Sequence, residues 1–271
     1  MAVNPNGLLK DQVALVTGAS RGIGDAIARR YAMEGARVVV SARTTQGDDS
    51  LLPGTIDDTV TAIQQAGGEA LSVQADLSVP ADRKRLVATA QEHYGGIDIL
   101  VNNAAVTFFI PVDAFPEKRF RLMMDVQVWT PFELAQLVLP GMRERGRGWI
   151  LNISSHAAIH PDKTTGGRGG TVYGMCKAAL ERFTTGLAQE TYGAGIGVNV
   201  ISPGLVATPG AVHHNLVNDE NRDLLMSAEG MAEACLRLVH GDPRQLTGRI
   251  DYADAVIDEF GLVEQPLIEL G

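Results

Sequence analysis

Thr17-Gly18-Ala19-Ser20-Arg21-Gly22-Ile23-Gly24 is the stretch whose reading decides the fold. An apolar run, Val13-Ala14-Leu15-Val16, leads into it, and text with helical spacing continues to Glu34. That order predicts a strand, a glycine-rich turn and a helix start. Glycines let a backbone approach a phosphate closely, and the free N–H groups of a helix's first turn point at such an anion. Glycines also mark turns that bind nothing, so the triplet alone is a weak signal. The strand before it and the helix after it favour a dinucleotide site. The spacing is T-G-x-x-x-G-x-G, not G-x-G-x-x-G.

Outward from this turn, β-rich runs alternate with helical text over the whole chain. Strands are expected at Val13–Thr17, Arg37–Ser41, Ala70–Gln74, Ile97–Asn102, Trp149–Ser154, Gly197–Ser202 and Arg249–Tyr252. Helices are expected at Gly22–Met33, Thr55–Ala66, Ala81–Tyr94, Glu117–Met142, Val172–Tyr192 and Ala228–His240. Such alternation implies βαβ units, hence an α/β fold with a doubly wound parallel sheet and helices on both faces. With no linker and no repeat, residues 1–271 read as a single domain. Two polar stretches interrupt the pattern, Thr44–Pro53 and His160–Gly170. Each is either a plain surface loop or the rim of a site beyond the strand C-termini.

The 271 residues are 45% hydrophobic and 20% charged, with a net charge of −9. That composition suits a globular protein with a full core. Its acidity argues against nucleic acid as a partner, because phosphate-backbone binding needs a basic face. Two cysteines, Cys176 and Cys235, fit reduced thiols better than a disulfide scaffold. No apolar run is long enough for a membrane span and no signal peptide is read, so a cytoplasmic protein is expected. No metal site is expected.

Tyr173-Gly174-Met175-Cys176-Lys177 places a phenol and an ammonium at i, i+4, on one helix face. A neighbouring ammonium favours the phenolate and lowers the tyrosine pKa, which suits proton transfer. Upstream, Asn152-Ile153-Ser154-Ser155 closes a predicted strand, where a serine hydroxyl could hold a carbonyl oxygen or simply cap a turn. The second strand ends Val40-Ser41-Ala42-Arg43 with no acid to grip a ribose 2′-hydroxyl. Arg43 and Arg21 instead suit a 2′-phosphate, so NADP is expected in preference to NAD.

Taken together, TGASRGIG, Asp76-Leu77, Asn102-Asn103-Ala104-Ala105, NISS, Y-x-x-x-K and Ser202-Pro203-Gly204 with Thr208 resemble the short-chain dehydrogenase/reductase family in order and spacing over roughly residues 10 to 250. The resemblance implies a Rossmann-type seven-stranded sheet of order 3-2-1-4-5-6-7 and a nicotinamide cofactor. Carried over by position, Ser155 would polarise the substrate carbonyl. Tyr173 would be the general acid or base, and Lys177 would hold the nicotinamide ribose. The turn residues Gly18, Ser20, Arg21, Gly22, Ile23 and Gly24, with Arg43, would receive the phosphates. Asp76 and Leu77 would meet the adenine, and Asn103, Ala104 and Ala105 would line the cofactor. Ile153, Pro203, Gly204, Val206 and Thr208 would border its nicotinamide end.

The chain departs from the family in three places. Gln127 stands where most members carry the Asn of a water-mediated relay to the lysine. The final strand lacks V-D-G-G, and its ending, with the long loop after Arg43, resembles the hydroxysteroid dehydrogenase-like subgroup. A few extra residues lie between Ser155 and Tyr173. The resemblance implies interconversion of a secondary alcohol and a ketone; the competing reading is a dinucleotide-binding sensor or scaffold without turnover. The substrate is a small carbonyl or alcohol. Phe108, Phe109 and Ile110, with Leu205 and His213, hint at a hydrophobic pocket. A homo-oligomer, tetramer or dimer, would pair the helices Glu117–Met142 and Val172–Tyr192.

Overall fold

The computed structural model describes residues 2–46, 52–164, 169–213, 216–217 and 225–269. Its main sheet joins seven parallel strands, β1 (Val13–Thr17), β2 (Arg37–Ala42), β3 (Glu69–Gln74), β4 (Ile99–Asn102), β5 (Gly148–Ile153), β6 (Ile196–Ser202) and β9 (Ile250–Tyr252), in the order β3-β2-β1-β4-β5-β6-β9. This is the expected Rossmann-type order. A separate two-stranded pair, β7 (Leu205–Val206) and β8 (Leu225–Met226), is additional to the expected strands.

The strands read as continuous apolar runs because both faces are covered. Side chains alternate between faces, and here they supply two cores. Ala14, Val16, Val38, Val40, Val101 and Leu151 face helices α1 (Gly22–Met33), α2 (Ile56–Gln65) and α7 (Ala228–Arg237). Val13, Leu15, Val39, Leu100, Ile150 and Val198 face α3 (Pro80–Tyr94), α5 (Thr130–Arg145) and α6 (Thr171–Thr191). Helix ends follow local chemistry. Thr55 and Asp58 form a reciprocal capping box at α2, and Gly95 and Gly146 end α3 and α5 in the left-handed region.

The helix expected over Glu117–Met142 is instead three pieces. α4 (Glu117–Met124) runs into a π turn at Asp125–Trp129, and α5 continues from Thr130. The Thr130 amide reaches back to the Asp125 carbonyl, an i→i+5 bond that accommodates one residue more than an α-helical turn. Gln127 sits inside this turn. Beyond β9, α8 (Ala253–Phe260) is also additional to the expected helices, and the segment after it packs back on the first helix, where Arg29 Nη1 donates to the Ile268 carbonyl at 2.7 Å. Ile268 is buried with Met33 and Ala62.

At the N-terminal ends of the central strands Asp98 pins β1, β4 and β5. Its carboxylate accepts from the Val13 amide at 3.0 Å and lies 3.3 and 3.4 Å from Arg147 and Arg145 Nε, while its carbonyl accepts from the Trp149 amide at 2.8 Å. The side chain is 8% exposed, so its loss leaves a buried amide unpaired. Asp98→Ala is expected to lower the unfolding free energy by about 2 kcal/mol. Urea titrations of both proteins at one concentration would read this as a lower midpoint at unchanged slope, and an unchanged midpoint would refute it.

Candidate functional site

The glycine-rich turn after β1 is shaped by close approach. Gly18 and Gly22 have φ of 65° and 59°, in the left-handed region that glycine tolerates. A Cβ on Gly24 would lie 2.3 Å from the Gly18 oxygen. Asn103 braces the turn: its Nδ2 donates to the carbonyls of Thr17 at 2.9 Å and Gly18 at 3.1 Å. The Thr17 hydroxyl accepts from the amides of Asn103 and Ala104 and donates to the Val101 carbonyl. α1 starts at Arg21 without a side-chain cap, so its first-turn N–H groups are available to an anion.

A cleft of about 830 Å³ opens beyond the strand C-termini. At one end lie Gly18, Ser20, Arg21, Gly22, Ile23 and Gly24, with Arg43 from the end of β2 and Asp76 and Leu77 after β3. Asn103, Ala104 and Ala105 form its middle. Ile153, Ser155, Tyr173 and Lys177 close the other end, with Pro203, Gly204 and Val206, while Thr208 lies against Gly22 of the glycine turn. The structure therefore brings together every catalytic and cofactor residue chosen from the sequence except Gln127, which is buried behind this lining. Phe108, Phe109, Leu205 and His213 line the cleft, whereas Ile110 does not; its amide donates to the Gly169 carbonyl at 3.1 Å. Leu122, Val126 and Leu216 line it too and carry no sequence signal beyond being apolar. Of the stretch Thr44–Pro53, Thr44 and Leu52 rim the cleft; residues 47–51 and 165–168 of the two polar stretches lie outside the described residues.

Ser155 ends the β5 segment and its Oγ accepts from the Ala157 amide at 3.2 Å, capping a short turn while facing the Tyr173 phenol. The cap reading of this serine is thus observed, and the same residue lines the cleft. Burial raises the Tyr173 pKa, the side-chain hydrogen bond with Ser155 lowers it, and Cys176 adds a small upward push. The ring of Phe109 packs edge-on against Tyr173 at 5.9 Å. Lys177 is buried, which pulls its pKa down to about 8, and its Nζ donates to the Ile153 carbonyl at 2.9 Å. The expected lowering of the tyrosine by the lysine is thus not produced by the protein's own groups. The ammonium lies 5.5 Å from the phenol ring, pointed at the strand, and desolvation dominates.

Gln127 Nε2 donates to the Val106 carbonyl at 2.8 Å, while its Oε1 is buried and has no partner among the described residues. At the opposite end, partial burial and then the charge of Arg43 pull Arg21 below the usual guanidinium value. Arg21 Nη2 donates to the Gly54 carbonyl at 2.7 Å. Two cations held near each other on a chain of net charge −9 make a local positive site.

A family model described as short chain dehydrogenase matches residues 12–218. The human Dehydrogenase/reductase SDR family member 4 is 36% identical over 245 residues, covering 90% of this chain and 81% of that protein. Short-chain reductase protein NovJ from Streptomyces niveus is 36% identical over 243 residues, covering 89% and 86%. Among solved structures, one from Beutenbergia cavernae, assigned provisionally as an NAD(P)-dependent gluconate 5-dehydrogenase with NADP bound at low occupancy, superposes with a TM-score of 0.80 at 26% identity, covering 92% and 97%. A double mutant of a Serratia marcescens short-chain dehydrogenase/reductase gives 0.79 at 30% identity, covering 90% and 97%.

Proposed function

The chain belongs to the short-chain dehydrogenase family and is an NAD(P)-dependent oxidoreductase, and from that premise we propose that it interconverts a secondary alcohol and a ketone with NADP(H). The observation that carries this reading is the convergence of Ser155, Tyr173 and Lys177 at one end of a cleft whose other end holds Arg21 and Arg43. The residues fit a nicotinamide dinucleotide on two further counts. The glycine turn leaves no room for side chains where a phosphate would approach, and the N-terminus of α1 is uncapped.

In this reading the first turn of α1 holds the pyrophosphate, Arg21 and Arg43 hold a 2′-phosphate, and Asp76 and Leu77 border the adenine. Lys177 holds the nicotinamide ribose. When bound, the nicotinamide supplies or takes up a hydride at the carbonyl carbon. Ser155 donates a hydrogen bond to the substrate oxygen, polarising the carbonyl. Tyr173 gives the proton to that oxygen in reduction and takes it in oxidation. A phenol kept protonated by burial is ready as the acid. Gln127 offers its buried Oε1 as an acceptor for a relay toward Lys177, and its anchored Nε2 limits how far that oxygen can move.

The oligomer in this reading is a homotetramer or a dimer, paired through α4–α5 and α6. Supporting it, α5 and α6 present a groove lined by Phe132, Leu139, Phe183 and Leu187, and the exposed Trp129 stacks on Phe132 at 5.4 Å.

Three outcomes are expected. Arg43→Ala should lower kcat/KM with NADPH about tenfold or more and leave NADH turnover nearly unchanged, since a hydrogen bond to a charged group contributes roughly 1.5–3 kcal/mol. Equal or better efficiency of the unaltered protein with NADH would sink the NADP reading. Tyr173→Phe should cost about 10²–10⁴-fold in ketone reduction, with Gln127→Ala losing only part of that. Full activity in Gln127→Ala removes it from the relay, and full activity in Tyr173→Phe removes the whole assignment. Light scattering at micromolar concentration should give a mass of two or four chains; one chain would contradict the pairing.

A further inference from the structure

Arg83, on α3, is 2% exposed. A guanidinium taken out of water needs partners, and it finds them on three separate segments. Its Nε donates to Glu133 on α5. Its Nη1 donates to the Leu77 carbonyl at 2.6 Å and lies 3.5 Å from Asp125 Oδ2 at the start of the π turn. The Leu77 carbonyl also accepts from the Thr130 hydroxyl at 3.0 Å, just past that turn. With two donors from different elements on it, this carbonyl has one orientation available. Leu77 lines the cleft, and Gln127 lies in the same π turn as Asp125.

The loop is already ordered without Arg83. Asp76 Oδ1 accepts from the Ser78 amide and hydroxyl, and the Asp76 amide donates to Asp82. What Arg83 adds is a tie between that loop and the helix bearing Gln127. We propose that Arg83 is a positioning residue that holds the Asp76–Leu77 loop and the π turn in one register, so that the two ends of the cleft are set together. This rests on the reading of the cleft as a nicotinamide dinucleotide site. The function needs a planar fork: Nε and Nη1 serve different partners in fixed directions, and a lysine ammonium carries the charge without that geometry.

The test compares the unaltered protein, Arg83→Lys, Arg83→Met and Thr130→Val. Their NADPH Kd is read by nicotinamide fluorescence, and kcat and ketone KM are read at saturating NADPH. Both Arg83 variants should weaken NADPH binding about tenfold and lower kcat severalfold at nearly unchanged ketone KM, the size of effect seen when one hydrogen-bond network is cut. Thr130→Val should shift Kd in the same direction by about two- to threefold. If Arg83→Lys restores wild-type Kd and kcat, or if the variants lose only melting temperature, the inference is overturned and Arg83 merely balances charge. Should the Arg83 variants fail to fold, an unchanged Kd in Thr130→Val overturns it. Absence of NADPH binding by the unaltered protein would overturn the cofactor reading and this inference with it. Normal wild-type binding beside an unaffected Arg83→Lys overturns this inference alone.

Discussion

The structure depends on how β1 and β4 are tied where they end. Their chains leave the sheet toward opposite faces, α1 to one core and α4–α5 to the other, and a crevice opens between them. Such a fork would splay or fill with side chains were it not laced by the Thr17 hydroxyl and the Asn103 amide. Those bonds fix the glycine turn against the β4 loop, with Asn103 itself part of the crevice wall. The cost falls on sequence: Gly24 must remain glycine, because the lacing brings the Gly18 oxygen and Asn103 Nδ2 to where a Cβ would sit.

Charge is distributed against the grain of the whole molecule. The chain is acidic, yet Arg21, Arg43 and Lys177 are gathered around one cleft. Lys177 shows what burial does to such a group, since its pKa falls to about 8 although its Nζ donates to a backbone carbonyl and Cys176 favours the charged form. A lysine so placed gains from any acceptor brought to it, and its proton is held less tightly than that of a surface lysine. Tyr173 is pushed the other way by the same dryness. Phenol and ammonium are thereby moved apart in acidity by burial, and the ammonium becomes the stronger acid of the two.

Much of the fold is legible in the sequence because strands buried on both faces announce themselves as apolar runs, and the sheet order follows from the family resemblance. The cleft residues are legible for a related reason: strand C-termini, glycines and the Tyr173–Lys177 spacing are local in sequence. The features that escape such a reading depend on distance or on hydrogen-bond register. A π turn changes neither composition nor apolar spacing enough to be seen, so Glu117–Met142 reads as one helix. Arg83 looks like any charged residue on a helix face, because its partners Leu77, Asp125 and Glu133 assemble only in three dimensions. The direction of the Tyr173 shift escapes it too, because burial, which sequence spacing does not report, outweighs the hydrogen bond with Ser155.

The π turn carries a consequence for how this segment can vary in length. α4, the turn and α5 form one continuous rod, and the turn accommodates a single surplus residue. Deleting one residue there would restore ordinary α-helical bonding, which by itself is harmless. It would also leave α4 and α5 facing nearly as they do now, because the wider turn absorbs its extra residue and keeps both flanking helices in α-helical phase. Met123 would stay buried against Val172 and Cys176. A deletion within α4 or α5 proper has no such outlet and would rotate the residues on one side of it by about 100° relative to those on the other. The π turn thus marks where this rod can change by one residue in length while its two faces keep their partners.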